Sequence, residues 1–302
     1  MVSFCALKRP REPRRVELRA SAKVNLALEV LGKRSDGYHE IATVMHAVDL
    51  CDRLTLEAAP SISLHTDDPQ LPTDERNLVV RAALLLREAA GVDGGARISL
   101  KKRIPVAAGL GGGSSDAAAA LWGLNRLWGL RWSRSRLMEL AVRLGMDVPF
   151  FLGSGPALAT GRGEVLASLA RSGGYALVLV NPRVAMSTAE VYGRVPAGWS
   201  ADGKGARRVV EALRTRSASR LAAALTNNLE GIVTSLLPAV ERMKAALLAA
   251  GALGAIMSGS GPTVFGMARS LDHARQIRRR VNRADWACWA VRTQSGPPIR
   301  SL

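Results

Sequence analysis

Aromatic residues are scarce in this chain, about 4% of its 302 positions, so the core must be built mainly from leucine, valine and alanine. Cysteine is nearly absent as well. Cys5, Cys51 and Cys288 are far apart, with no C-x-x-C spacing and no histidine cluster nearby. That excludes a disulfide framework and a structural zinc site and favours a reducing compartment. No apolar run approaches the roughly 20 residues of a membrane-spanning helix, and the stretch from 245 to 256 is broken by glycines. The amino terminus lacks an apolar segment followed by a cleavage signal, so a cytoplasmic location and no membrane partner are expected.

Acidic residues are in deficit too, 25 Asp plus Glu against 42 Lys plus Arg, for a net charge of +17. One reading is an anionic partner: nucleic acid, a membrane surface or phosphorylated small molecules. The other is a general enrichment in arginine, which matches the excess of alanine. Most arginines lie singly along predicted helices, as the second reading requires. The exception is residues 8–19, where Lys8, Arg9, Arg11, Arg14, Arg15 and Arg19 sit beside two prolines. Residues 1–15 are therefore read as a basic tail. The interleaved aromatic and basic residues of an RNA-binding sheet are missing, so no nucleic-acid partner is expected.

The length suits two domains. Alternation predicts strands at 16–20 and 24–31, a turn at 32–40, then β-rich stretches at 41–50 and 53–58. Helical spacing covers 77–90, 114–127 and 133–144, the last with Ser133 as its N-cap. The texture resets near 171–174, giving an expected division into 16–172 and 173–302. The second part opens with an apolar strand at 175–181. Helices are expected at 187–192, 206–213, 236–250 and 273–281, and a strand at 286–291. Mixed strands and helices without a repeat indicate an α+β fold.

The most chemically suggestive stretch is "PVAAGLGGGSSDAAAAL", residues 105–121. No lysine follows its glycines, so it is not a Walker A loop, and it does not fit G-x-G-x-x-G. It nevertheless has what phosphate binding needs. Glycines let backbone N–H groups approach an anion, and a helix starting at Ser114 or Ser115 adds unpaired N–H groups and a positive dipole end. Asp116 is available to help hold a magnesium ion. A tight turn into a buried helix is the alternative.

Three further groups stand out. Lys23 and Asn25 are two apart on a strand and share a face, either as chemistry or as edge decoration. Tyr38 and His39 follow a tight Asp36-Gly37 turn, as a ligand contact or as a hairpin tip. Asp147 follows a helix end in "LGMDVPFF", where a partly buried carboxylate wants a partner or caps a helix. A second Gly/Ser turn, "MSGSGPTVFG", lies between apolar strands, and "TNNLE" reads as a polar helix cap.

Together these motifs resemble the GHMP kinases, the small-molecule kinases that include galactokinase, homoserine kinase and mevalonate kinase. The form GLGGGSSD, with "AKVNLALEVLGKRSDGYHEI", "LGMDVPFFL" and "SGSGPTVFG", is similar to one branch, the 4-diphosphocytidyl-2-C-methyl-D-erythritol kinases. The matches fall in order from Ser21 to Gly266. The resemblance implies two domains, the first like domain 2 of ribosomal protein S5 and the second a ferredoxin-like α/β plait. It implies ATP as phosphoryl donor, Mg²⁺ with it, and 4-diphosphocytidyl-2-C-methyl-D-erythritol as the small-molecule substrate, phosphorylated on its 2-hydroxyl. Metal ligands stay unassigned, and monomer or homodimer stays open.

Residue by residue, the resemblance makes Lys23 and Asp147 the catalytic pair, with Asp147 the general base. Val106, Ala107, Ala108, Gly109, Leu110, Gly111, Gly112, Gly113, Ser114, Ser115 and Asp116 would wrap the ATP phosphates, and Asn77 would lie near the adenine. Asn25, Tyr38 and His39 would contact substrate, the last two holding the cytosine. Gly259, Ser260 and Gly261 would line the substrate side. One departure concerns a second aromatic against the cytosine. The segment "NPRVAMSTAEVY" has none before Tyr192, which leaves that face to Val184 or Met186.

Overall fold

The computed structural model describes residues 14–170 and 174–302. The basic tail up to residue 13, Cys5 and the three residues at the expected division lie outside them.

The chain opens with two very long strands, β1 (Arg15–Lys33) and β2 (His39–Ala59), paired antiparallel. Separate strands were expected at 16–20 and 24–31, and at 41–50 and 53–58; each pair is one continuous strand. The ladder is not broken where the alternation falters. It absorbs register shifts between Ser21 and Lys23, Asn25 and Ala27, and Val30 and Gly32. Such bulges bend a strand and re-aim its side chains. Lys23 and Asn25 therefore sit between two of them.

After β3 (Ser63–Thr66) come α1 (Leu78–Ala90), β4 (Gly95–Lys101) and α2 (Gly112–Leu127). Asn77 caps α1 by accepting the Val79 N–H, and Gly91 ends it in the left-handed region, the usual place for glycine. Helix α2 is central: Ala117, Ala118, Ala119 and Ala120 are fully buried, and their small side chains let the helix lie close against β1 and β2. Then follow α3 (Arg134–Leu144, capped by Ser133), the short α4 (Val148–Phe151), β5 (Ala157–Thr160) and β6 (Val165–Ser168). Helices α1, α2 and α3 share one core with the strands beneath them.

The second part begins with β7 (Ala176–Asn181), whose six residues are all buried. It continues through α5 (Thr188–Gly193), α6 (Lys204–Arg214), α7 (Ala218–Ala224), β8 (Thr226–Asn227) and α8 (Glu230–Leu236). Pro238 separates α8 from α9 (Ala239–Ala249), so the helix expected at 236–250 starts after it. Last come β9 (Gly254–Met257), β10 (Val264–Ala268), α10 (Leu271–Val281), β11 (Ala287–Arg292) and β12 (Ile299–Ser301).

The described residues form two sheets. One runs β12-β1-β2-β4-β3, with β5 and β6 branching from β2 and β8 pairing with β1. The other runs β11-β7-β10-β9, antiparallel throughout. Counting only its own strands, the order is 4-1-3-2, with helices between the first and second and between the third and fourth, as in a ferredoxin-like plait. The last strand, β12, returns to β1, and β8 also joins β1, so chain segments cross between the two sheets. "TNNLE" is thus partly a strand rather than only a helix cap.

Candidate active site

A cleft of about 990 Å³ opens between the first sheet with the start of α2 and, from the second part, α5 and the second Gly/Ser turn. Its floor is the stretch from Pro105 into α2. The helix begins at Gly112, two residues earlier than expected, with Gly111 as N-cap in the left-handed region. Its first-turn N–H groups therefore belong to Gly112, Gly113 and Ser114. No acidic residue in the first turn opposes the positive end of the helix.

Two glycines are required here by geometry. Gly109 has φ +75°, and a Cβ there would lie 2.2 Å from the carbonyl oxygen of Ser258. At Gly111, φ +69°, a Cβ would meet Phe151 at 2.8 Å and the Lys23 stem at 3.0 Å. The loop is thus clamped between β1 and the second Gly/Ser turn. The Lys23 N–H donates to Leu110 O at 2.9 Å, and the Ser258 hydroxyl donates to Gly109 O at 3.0 Å.

Lys23 is buried, and its ammonium donates to Asn25 Oδ1 at 2.5 Å. Asn25 in turn donates to Thr43 Oγ1 at 2.7 Å. This chain of bonds leaves Lys23 one orientation, toward Asp147 Oδ2 at 3.5 Å. Asp147 precedes α4 but makes no capping bond. Its carboxylate, 38% exposed, faces the cleft instead.

Deeper in, Lys102 bridges two carboxylates, Asp52 at 2.5 Å and Asp116 at 2.8 Å. Asp52 is satisfied further by the N–H groups of Arg103 and Ile104. Asp116 is not: its Oδ1 is buried without a hydrogen-bond partner among the described residues. Burial pushes its carboxyl up to about 8, against the pull of Lys102 and with Asp52 adding to the rise. For Lys102 burial acts downward, but the two carboxylates outweigh it and the net direction is up.

The other end of the cleft is aromatic. Tyr38 is 53% exposed at the rim, with the Arg162 guanidinium 5.0 Å from its ring centre. His39 meets Tyr192 of α5 with ring centres 5.4 Å apart. Burial, helped by Lys33, lowers the His39 pKa and keeps the imidazole neutral near pH 7. Burial and the nearby Asp147 push the Tyr192 phenol up, so it stays protonated.

Comparison with known proteins agrees with this arrangement. The GHMP kinases N terminal domain matches residues 77–155, and the GHMP kinases C terminal matches 209–287. The 4-diphosphocytidyl-2-C-methyl-D-erythritol kinase of Pelotomaculum thermopropionicum is 51% identical over 276 residues, covering 91% of this chain and 96% of the relative. That of Symbiobacterium thermophilum is 45% identical over 280 residues, covering 92% and 99%. The chain belongs to the 4-diphosphocytidyl-2-C-methyl-D-erythritol kinase family. A crystal structure of 4-(cytidine 5'-diphospho)-2C-methyl-D-erythritol kinase superposes with TM-score 0.77 at 40% identity, over 92% of this chain and 98% of that one. Homoserine kinase from Cytophaga hutchinsonii, at 21% identity and TM-score 0.79 over 98% and 100%, shares the fold. The two-domain GHMP fold is therefore as expected, and the chain is an ATP-dependent phosphotransferase of that family.

Of the residues singled out in the sequence of this kinase, most line the cleft: Lys23, Asn25, Tyr38, His39, Asn77, residues 106–109 and 111–114, Asp116, Asp147, Gly259 and Ser260. Three do not. Leu110 and Ser115 are fully buried, and the Ser115 hydroxyl is committed to Ser21 O at 2.7 Å. Gly261 lies behind the wall, with its N–H on Ser258 O. Asn77 lines the cleft, but its amide is engaged in the fold, accepting from Val79 and donating to Pro72 O. Val184 and Met186 are not in the wall either; Tyr192 is. The short α5 turns that tyrosine inward, which a scan for an aromatic earlier in the segment could not see. Sequence reading also missed Lys102, Asp52, Thr43 and Ser258. Only Lys102 left a signal, as a lysine just upstream of a phosphate-type loop that lacks one downstream.

Proposed function

We propose that this kinase transfers the γ-phosphoryl group of ATP to the 2-hydroxyl of 4-diphosphocytidyl-2-C-methyl-D-erythritol, in the non-mevalonate route to isoprenoid precursors. The observation that carries this reading is a single cleft joining three things: the Lys23–Asp147 pair, the open N-terminus of α2 and an aromatic rim.

Phosphoryl transfer needs positioning and charge stabilisation more than covalent help. Asp147 accepts the proton of the substrate hydroxyl as its oxygen attacks the γ-phosphorus and the bond to the β-phosphate oxygen breaks, leaving ADP. Lys23 orients the Asp147 carboxylate, 3.5 Å away, and offsets the charge that develops on the phosphoryl oxygens. Asn25 orients Lys23 and faces the substrate. The N–H groups of Gly112, Gly113 and Ser114 receive phosphate oxygens, with Ala107, Ala108 and Gly109 shaping the approach, and Asn77 stands toward the adenine. Tyr38, the neutral imidazole of His39 and Tyr192 hold the cytosine. Gly259 and Ser260 close the substrate side.

Among the described residues no group of three or more His, Cys, Asp or Glu could hold a metal ion. Mg²⁺ keeps several waters and binds through one or two carboxylates plus substrate phosphates, so a single carboxylate beside the phosphate loop suffices for it. Asp116, whose Oδ1 has no hydrogen-bond partner among the described residues, is the carboxylate this chain would offer, giving up its proton as the ion binds. Bound there, the ion would neutralise charge on the phosphate chain. We assign ATP binding and catalysis to residues 16–172 and the substrate side to 173–302, with β12 returning to the first sheet. The free thiols of Cys51 and Cys288 suit a cytoplasmic enzyme. None of the described helices is long and apolar enough to cross a membrane.

The test is a transfer assay with ATP and magnesium and three acceptors: 4-diphosphocytidyl-2-C-methyl-D-erythritol, mevalonate and homoserine. Phosphorylation of the first alone is expected. Equal transfer to all three, or none, would overturn the assignment.

A further inference from the structure

A second, smaller cavity of about 330 Å³ lies in the second part of the chain, away from the cleft. It sits at the other end of the four-stranded sheet, where β7 begins and where β10 and β11 finish. The five-residue rise from Ala176 to Asn181 separates the two ends of β7 by roughly 17 Å. Asn181 marks the active-site end, since its Nδ2 donates to Thr263 Oγ1 beside the second glycine turn.

Three arginines from three different elements line this cavity: Arg216 after α6, Arg269 after β10, and Arg292 at the end of β11. None of their guanidinium groups has a hydrogen bond or an ion pair among the described residues. Two carboxylates lie nearby, and neither pairs with these guanidinium groups. Asp49 accepts the backbone N–H of Arg292, and Asp272 pairs with Arg275 at 2.8 Å. All three side chains are exposed at the mouth of the cavity and free to turn toward an anion that enters it. The N-terminus of α10 adds to the field at Ser270 and Leu271. A consequence of the positive field is visible next door: burial, then Arg269 and Arg280, hold His273 below its ordinary pKa.

We infer that this cavity binds a small diphosphate ester, its phosphates held by Arg216, Arg269 and Arg292. Guanidinium groups fork onto phosphate oxygens in pairs. Three formal positive charges suit two linked phosphates better than one monoester of about −1.5 to −2. The cavity has room for the phosphates and opens to solvent for the rest of the molecule. This site is independent of the reaction in the main cleft and of its substrate.

The experiment is calorimetric titration of the full chain with inorganic diphosphate, after the main cleft has been filled with a non-hydrolysable ATP analogue. One diphosphate per chain is expected, binding more tightly than orthophosphate. Each lost charge-assisted contact should weaken it about tenfold, so R216Q/R269Q/R292Q should lose at least two such factors while keeping its turnover. A wild type that binds no diphosphate, or a triple variant that binds it as well, would overturn the inference. So would a short single-stranded oligonucleotide that binds these arginines more tightly than diphosphate does. If the triple variant failed to fold, wild-type crystals soaked in diphosphate would decide. Phosphates within hydrogen-bond distance of at least two of the arginines support the site; an empty cavity refutes it.

Discussion

Replacing Asp116 by asparagine should change how stability depends on pH. In the native protein burial raises this carboxyl from 3.8 to about 8. The folded state therefore holds a proton that the unfolded state has already released at neutral pH. A raised carboxyl contributes least destabilisation below its unfolded value and progressively more as pH rises toward the folded one. At up to 1.36 kcal/mol per unit, the step from pH 6 to pH 8 costs about 2 kcal/mol, since the group is half ionised at pH 8, and the loss levels off near about 3 kcal/mol by pH 9. Asparagine has nearly the same shape, can still accept from Lys102 and carries no proton to lose. Urea unfolding of wild type and D116N at pH 6, 7, 8 and 9 gives two curves whose difference isolates the network of Asp116 with Lys102 and Asp52, because titrations outside it are common to both. The variant should gain about 3 kcal/mol relative to wild type across that window. Parallel curves would mean that Asp116 ionises at its ordinary value and that the buried network with Lys102 and Asp52 is charged differently.

Asp147→Asn should reduce turnover by about 10²–10⁴-fold while ATP binding, followed by calorimetry, is unchanged; near-native turnover would remove Asp147 from the role of base. Tyr192→Ala should raise KM for the cytidine-bearing substrate about tenfold, from the loss of one stacking face, and leave KM for ATP alone. Equal changes in both would show that Tyr192 only supports the fold. Gly109→Ala puts a Cβ 2.2 Å from Ser258 O at φ +75°. Its unfolding free energy should fall by about 1–3 kcal/mol, with weaker ATP binding, and full stability would mean the loop moves freely from the second glycine turn.

The sequence by itself determined what is local. Helix α1 with its Asn77 cap, α3 with Ser133, the glycine loop feeding α2 and the apolar strand β7 follow from spacing, capping chemistry and glycine placement within a few residues. The order of the motifs was enough to indicate the kinase family and to draw Lys23 and Asp147 together across 124 positions. Tertiary structure decided what depends on partners remote in the chain. Whether β1 continued through Ser21 and Asn25 was settled by β2 on the neighbouring side, where bulges cost less than ending the ladder. Lys102 acquired meaning only when Asp52 and Asp116 closed around it. Tyr192 entered the cleft because α5 turned it toward His39. Leu110, Ser115 and Gly261 match the motif as well as their neighbours do, yet they lie behind the wall. A motif specifies residue types at a spacing; which side of the backbone meets the ligand is set by packing against β1 and the second glycine turn.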